Sequence, residues 1–218
     1  MVGRRAKLPP TDVPPPPTPF DALELLLPKA ATLRRVHDPR RQGNVFNPGA
    51  GSPTRFAHFD GGAGIVPSLY AAATPEAAVC ESLLHDVPLA GGILPLANYA
   101  TRVLTTLELQ RDVRLAMLMG PGLRRLGVYQ QDVIATNGDV YDQTVLWAQA
   151  AHAAGFEGLA WMSARDNTSQ AYIFFGDRVE ENDLLITSSG IDSFAPGSSG
   201  FNWLDSYCSL VHVDLLLS

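Results

Sequence analysis

Short apolar runs, separated by glycine and proline, most constrain what this 218-residue chain can fold into. Val103, Thr105, Leu107 and Leu109 alternate within residues 102–109, the period-two pattern of a half-buried strand. Residues 32–37 and 54–59 predict two further short strands. Residues 158–162 and 171–175 predict buried strands on either side of a loop at 163–170. Gly43, Asn47, Pro48, Gly49, Gly51 and Pro53 mark one loop, and Gly61, Gly62 and Gly64 a second. A single long helix is expected over 141–154, with Gly155 as its stop. Strands outnumber helices and do not alternate regularly with them. The pattern predicts a mixed α+β fold, with mainly antiparallel sheets and flanking helices, over a doubly wound one.

Other segments follow from local chemistry. Pro9, Pro10 and Pro14–Pro17 remove ladder donors, so residues 1–19 read as a Pro-rich flexible arm and residues 20–218 as one domain. Asp21 is expected to cap a short helix over Leu23–Leu27 that Pro28 ends. Thr74-Pro75-Glu76 is a strong helix start, with a hydroxyl cap, a first-turn proline and an acid near the positive dipole end. That helix is expected to run to His85. Residues 190–200 read as a Ser/Gly/Pro loop, and 208–217 as a final edge strand.

Composition excludes several classes. Hydrophobic residues make up 46% and charged residues 17%, a globular balance and not a disordered one. No apolar run approaches the length of a membrane helix, and proline follows the basic N-terminus where a secretory signal would be apolar, so a cytoplasmic protein is expected. Cys80 and Cys208 stand far apart, without a disulfide or zinc pattern. The net charge of -6 argues against direct nucleic-acid binding. The charge is uneven: residues 1–126 carry 14 Lys/Arg against 10 Asp/Glu, and residues 127–218 carry 2 against 12. The first half can therefore concentrate positive potential around a small phosphate ligand, or simply neutralise the second half.

Candidate chemistry gathers at Arg35, Arg55, Tyr70 and Glu81, with Ser163 far downstream. Guanidinium forks bind phosphate through paired charge-assisted hydrogen bonds, so Arg35 and Arg55 on adjacent strands would suit a pyrophosphate. Each alone reads first as a surface or salt-bridged arginine. Tyr70 offers a stacking face and one hydroxyl, or is a core tyrosine beside a turn. Glu81 can accept from ribose hydroxyls or stabilise positive charge at an anomeric carbon, or it simply pairs with His85. Ser163, after an apolar strand, places a hydroxyl within reach of a phosphate or ribose. Other motifs fail. Gly120-Pro121-Gly122 has Arg125 where a dinucleotide fingerprint needs glycine. Glu81 and His85 have ligand spacing but no third ligand, so no metal is expected.

Taken together, these residues resemble the RES domain family, the toxin half of bacterial RES–Xre toxin–antitoxin pairs. The match rests on Arg35-Val36, Arg55-Phe56, Tyr70-Ala71, Glu81-Ser82-Leu83-Leu84-His85 and the strand ending in Ser163, over about residues 30–187. The segment from Arg55 to Tyr70 is longer than usual for that family. The resemblance implies a fold similar to ADP-ribosyltransferases and NAD as substrate, with no other cofactor. It implies cleavage of the nicotinamide–ribose bond by water or inorganic phosphate, or transfer of ADP-ribose to a protein acceptor. Arg35 and Arg55 would hold the pyrophosphate, Tyr70 would stack near the nicotinamide, Glu81 would face the nicotinamide ribose and Ser163 would fix a phosphate or ribose hydroxyl. An Xre-like helix-turn-helix antitoxin would be the partner, and a homodimer is compatible. The residues alone also allow a non-catalytic nucleotide- or partner-binding module, or a purely structural ion network.

Overall fold

The computed structural model describes residues 13–136 and 138–217. The strands are β1 (Glu24–Leu27), β2 (Thr32–His37), β3 (Ser68–Ala72), β4 (Gly92–Leu94), β5 (Val103–Leu109), β6 (Val113–Leu118), β7 (Gly158–Met162), β8 (Gln170–Phe175), β9 (Leu184–Ser193) and β10 (Val213–Leu215). The helices are α1 (Pro75–Cys80), α2 (Leu96–Tyr99), α3 (Pro121–Leu126), α4 (Gln130–Val133), α5 (Tyr141–Ala153) and α6 (Ser199–Leu210). Among the described residues one eight-stranded sheet runs β1-β6-β7-β8-β3-β2-β5-β9, and β10 pairs with β4 in a small parallel sheet. In the large sheet β6 and β7 are parallel and every other pair is antiparallel. The fold is mixed α+β with a mainly antiparallel sheet and flanking helices.

Period-two alternation sorts side chains to the two faces of this sheet. On β3, Leu69 and Ala71 enter a core with Leu33, Leu107, Leu115 and Phe174. Tyr70 and Ala72 point the other way, toward the face covered by α5, α1 and α6. There Trp147 and Ala151 of α5 meet Trp161, Ile173 and Phe175, while Ala77 and Cys80 of α1 meet Leu204 and Cys208 of α6. Since Arg34 pairs with Ala72 across β2 and β3, it shares the helix-covered face. Arg35 shares the face of Leu33.

Several expectations are corrected. Residues 21–27 form no helix: Glu24–Leu27 pair antiparallel with Arg114 and its neighbours on β6, burying Leu27 and leaving Leu26 exposed. Strand pairing outweighs the modest helix preference of leucine. Residues 54–59 form a turn closed by Thr54 and Ala57, whose backbone groups exchange hydrogen bonds at 2.6 and 3.3 Å, so Arg55 and Phe56 sit at its tip. The loop expected over 190–200 is strand as far as Ser193, and Ser198 caps α6 by accepting from the Phe201 amide. Residues 208–217 finish α6 before the short β10. The Pro-rich arm lies outside the described residues as far as Asp12. From Val13 onward it is extended, as its prolines require, but held on α5: the Val13 amide donates to Gln143, Trp147 Nε1 donates to the Pro14 carbonyl, and Phe20 packs edge-on against Trp147.

The segment that sets up the site is α1. Thr74 Oγ1 accepts from the Ala77 amide at 3.2 Å and donates to Ser169 Oγ at 3.0 Å, joining the helix start to the loop after β7. The helix is shorter than expected. Glu81 is its C-terminal cap, and the Leu83 and Leu84 amides both turn back to the Val79 carbonyl. Replacing Thr74 with alanine is expected to cost about 1 kcal/mol. The check is urea unfolding, in which the midpoint falls while the slope stays constant.

Candidate functional site

The turn at 54–57 delivers Arg55, and the end of α1 delivers Glu81. Thr144 of α5 donates to the Arg55 carbonyl at 2.6 Å, and the Phe56 amide donates to Tyr70 Oη at 3.1 Å. Arg55 is therefore clamped from both sides. Its Nη1 lies 3.6 Å from Glu81 Oε2, and only 8% of its side chain and 15% of that of Glu81 are exposed. At that distance the two form an ion pair but no good hydrogen bond. Arg55 Nε and Glu81 Oε1 are both buried and partnerless. Each such atom costs on the order of 1–3 kcal/mol when left unsatisfied, a cost built into this site.

Both groups open on a cleft of about 830 Å³, whose walls include Pro53, Thr54, Tyr70, Ser82, His85 and Tyr141. A second lobe of about 340 Å³ adds Thr136, Ala164 and Arg165 on the other side of Glu81 and His85. Tyr70 is tied down: its hydroxyl lies 2.9 Å from Thr54 Oγ1, and its ring meets Trp161 edge-on. Burial pushes its phenol up to about 12, so it is neutral at physiological pH and acts through hydrogen bonds.

His85 and Tyr141 complete the wall. Tyr141 Oη is 3.0 Å from His85 Nε2, Arg55 Nη2 is 3.4 Å from the same nitrogen, and His85 Nδ1 is 2.9 Å from Asp86 Oδ1. The Arg55 guanidinium lies 5.9 Å over the Tyr141 ring. Arg165 donates to the carbonyls of His85 and Val87, fixing this segment from behind.

The five residues singled out from the sequence do not all meet. Arg55, Tyr70 and Glu81 line one cleft. Arg35 is not among the residues lining that cleft: its Nη1 donates to the Gly43 and Val45 carbonyls at 2.7 and 2.8 Å and ties down the loop after β2. Desolvation, reinforced by Arg41, lowers its pKa to about 10, which leaves it charged. The arginine that shares the face of Tyr70 and Ala72 is Arg34: with Arg35 it borders a small cavity lined also by Tyr70 and Glu81, and its Nη1 donates to the neighbouring Leu33 carbonyl. Alternation alone does not choose between the two, because Leu33 and Val36 are apolar on opposite faces.

Ser163 lines neither lobe. It is fully buried, and its Oγ accepts from the Arg165 and Asp166 amides at 3.3 and 3.1 Å. Its role is to shape the loop that carries Arg165 to the back of His85. His85 was visible in the sequence as a neighbour of Glu81, but Tyr141 was not: no local pattern marks the first residue of α5 as a site residue.

The RES domain family model matches residues 11–191. The chain belongs to the RES domain family. Its fold is similar to that of a chain in the crystal structure of the M. tuberculosis MbcT-MbcA toxin-antitoxin complex, with a TM-score of 0.51, 16% identity, and 75% of this chain and 84% of that one covered. No curated protein matches. In this RES domain, no described helix is long and apolar enough to cross a membrane.

Proposed function

We propose that this RES domain is the toxin of a toxin–antitoxin pair and cleaves the nicotinamide–ribose bond of NAD, depleting it in the cytoplasm. The observation that carries the reading is the Arg55–Glu81 ion pair, two largely buried charges that line a cleft large enough for a dinucleotide. Arg55 takes a phosphate, and Glu81 accepts from ribose hydroxyls and stabilises the oxocarbenium-like transition state. Tyr70 frames the nicotinamide and holds the Arg55 turn. Nicotinamide carries its positive charge before it leaves, so its departure needs no strong acid. An Xre-like antitoxin is the expected partner, in keeping with the toxin–antitoxin complex whose fold this chain shares.

Nicotinamide release from NAD by the purified protein tests this directly, with mass spectrometry of the products in the presence and absence of inorganic phosphate. No release with water, phosphate or protein acceptors would overturn it. A second reading, transfer of ADP-ribose to a protein, is favoured by the carboxylates of Asp86 and Asp142 at the cleft mouth, which suit a basic peptide.

The two neighbouring arginines are expected to separate cleanly. Arg34→Ala should weaken NAD binding about tenfold, the loss of one charge-assisted contact, with little change in stability. Arg35→Ala should leave binding intact but cost about 1–3 kcal/mol, because the Gly43 and Val45 carbonyls lose their donor. Calorimetric titration paired with urea unfolding of each variant checks the assignment.

A further inference from the structure

The wall beside Arg55 carries a chain of three polar groups that NAD binding alone does not require. Asp86 Oδ1, His85 Nδ1, His85 Nε2 and Tyr141 Oη follow one another at 2.9 and 3.0 Å, ending at a phenol on the cleft surface. With Asp86 accepting at Nδ1, the proton of the neutral ring sits there and the Nε2 lone pair faces Tyr141. Arg55 Nη2, also directed at Nε2, favours the same arrangement. Arg165 holds the segment in place by donating to the His85 carbonyl at 2.6 Å.

We propose that Tyr141 and His85 form a proton relay that activates a hydroxyl acceptor, water, for attack on the anomeric carbon. The proposal rests on the NAD-cleaving reading above. The C1′–N bond breaks with its electron pair leaving on neutral nicotinamide. A new C1′–O bond forms from water. The water proton passes to Tyr141 Oη as the tyrosine's own proton passes to His85 Nε2, and the imidazolium so formed faces Asp86. The products are ADP-ribose, nicotinamide and a proton that later leaves His85, and nothing is oxidised or reduced.

Burial raises the Tyr141 phenol above its ordinary range, opposed by Arg55 and reinforced by Asp86 and Glu81. A free tyrosinate is therefore disfavoured, and a concerted shuttle through a neutral phenol fits the site better. The charged groups around the relay are Arg55 from the 54–57 turn, Glu81 and Asp86 from the α1 segment, Asp139 and Asp142 on either side of Tyr141, and Arg165 from the loop after β7.

The test compares Tyr141→Phe, His85→Gln and Glu81→Gln with the unmodified protein in NAD hydrolysis, with and without sodium azide. Azide is an anionic nucleophile that needs no deprotonation. Loss of a general base is worth about 10²–10⁴-fold. We expect Tyr141→Phe and His85→Gln each to lower ADP-ribose formation at least 10²-fold. Azide should restore nicotinamide release in both, with ADP-ribosyl azide as product, and should not restore Glu81→Gln. If both relay variants hydrolyse NAD at the unmodified rate, or lose activity that azide cannot restore, the relay is wrong and NAD cleavage itself stands. If the unmodified protein forms only ADP-ribose 1-phosphate, and none of the hydrolysis product, the relay is likewise wrong. If it releases no nicotinamide at all, the underlying reading fails.

Discussion

Replacing Glu81 with glutamine is expected to lower nicotinamide release by about 10²–10³-fold while leaving NAD affinity nearly unchanged. Glutamine keeps the shape of the side chain and its capacity to accept from a ribose hydroxyl, so the ground state loses little. What it loses is the negative charge facing a carbon that becomes cationic only as nicotinamide departs. An interaction realised only in the transition state appears in turnover and not in binding. The site strengthens that charge in two ways. Its side chain is only 15% exposed, and its nearest guanidinium stands off at 3.6 Å, so the carboxylate is not consumed in a tight pair. Single-turnover nicotinamide release, together with calorimetric titration of NAD, separates the two effects. Near-normal turnover would remove Glu81 from the chemistry, and a parallel collapse of affinity would recast it as a binding residue.

Why Glu81 was legible in the sequence and Arg34 was not is a question of how each is placed. Glu81 follows a helix whose start is written in Thr74-Pro75-Glu76, and the end of a one-and-a-half-turn helix puts it at a fixed position over the sheet. The strands β2, β5, β7 and β8 were equally plain, because their apolar runs are paid off locally by burial. Arg34 and Arg35 differ by one residue of register, and that choice depends on pairing with Ala72 on β3, which no local pattern encodes. The same holds for β1, where the leucine run prefers a strand only because β6 is waiting beside it. Tyr141 reaches the cleft because it opens α5 one turn before Thr144 meets the Arg55 carbonyl, a contact between residues 89 apart in the chain. Ser163 shows the opposite case: the residue was identifiable, but its buried hydroxyl turns inward to backbone amides and acts through Arg165.

Removing Arg55 is expected to have the largest combined effect of any single change. Arg55→Ala should weaken NAD binding more than tenfold and also destabilise the fold by about 3 kcal/mol, the cost of leaving a buried carboxylate without its partner. Both follow from position. The guanidinium is 8% exposed, is the nearest cation to Glu81, and stacks over Tyr141 while touching His85. Its backbone carbonyl is held by Thr144, so the turn itself should survive the truncation. The stability loss can then be traced to charge by a double-mutant cycle. In the Arg55→Ala background, Glu81→Gln removes the stranded charge and should recover part of the lost stability, whereas alone it strands the Arg55 guanidinium and should itself lower stability. Additive losses in urea unfolding would mean that the two side chains do not act as a pair. Because binding and stability would fall together in Arg55→Ala but only binding in Arg34→Ala, comparing the two shows which guanidinium serves the ligand alone and which also neutralises the charge at the centre of the site.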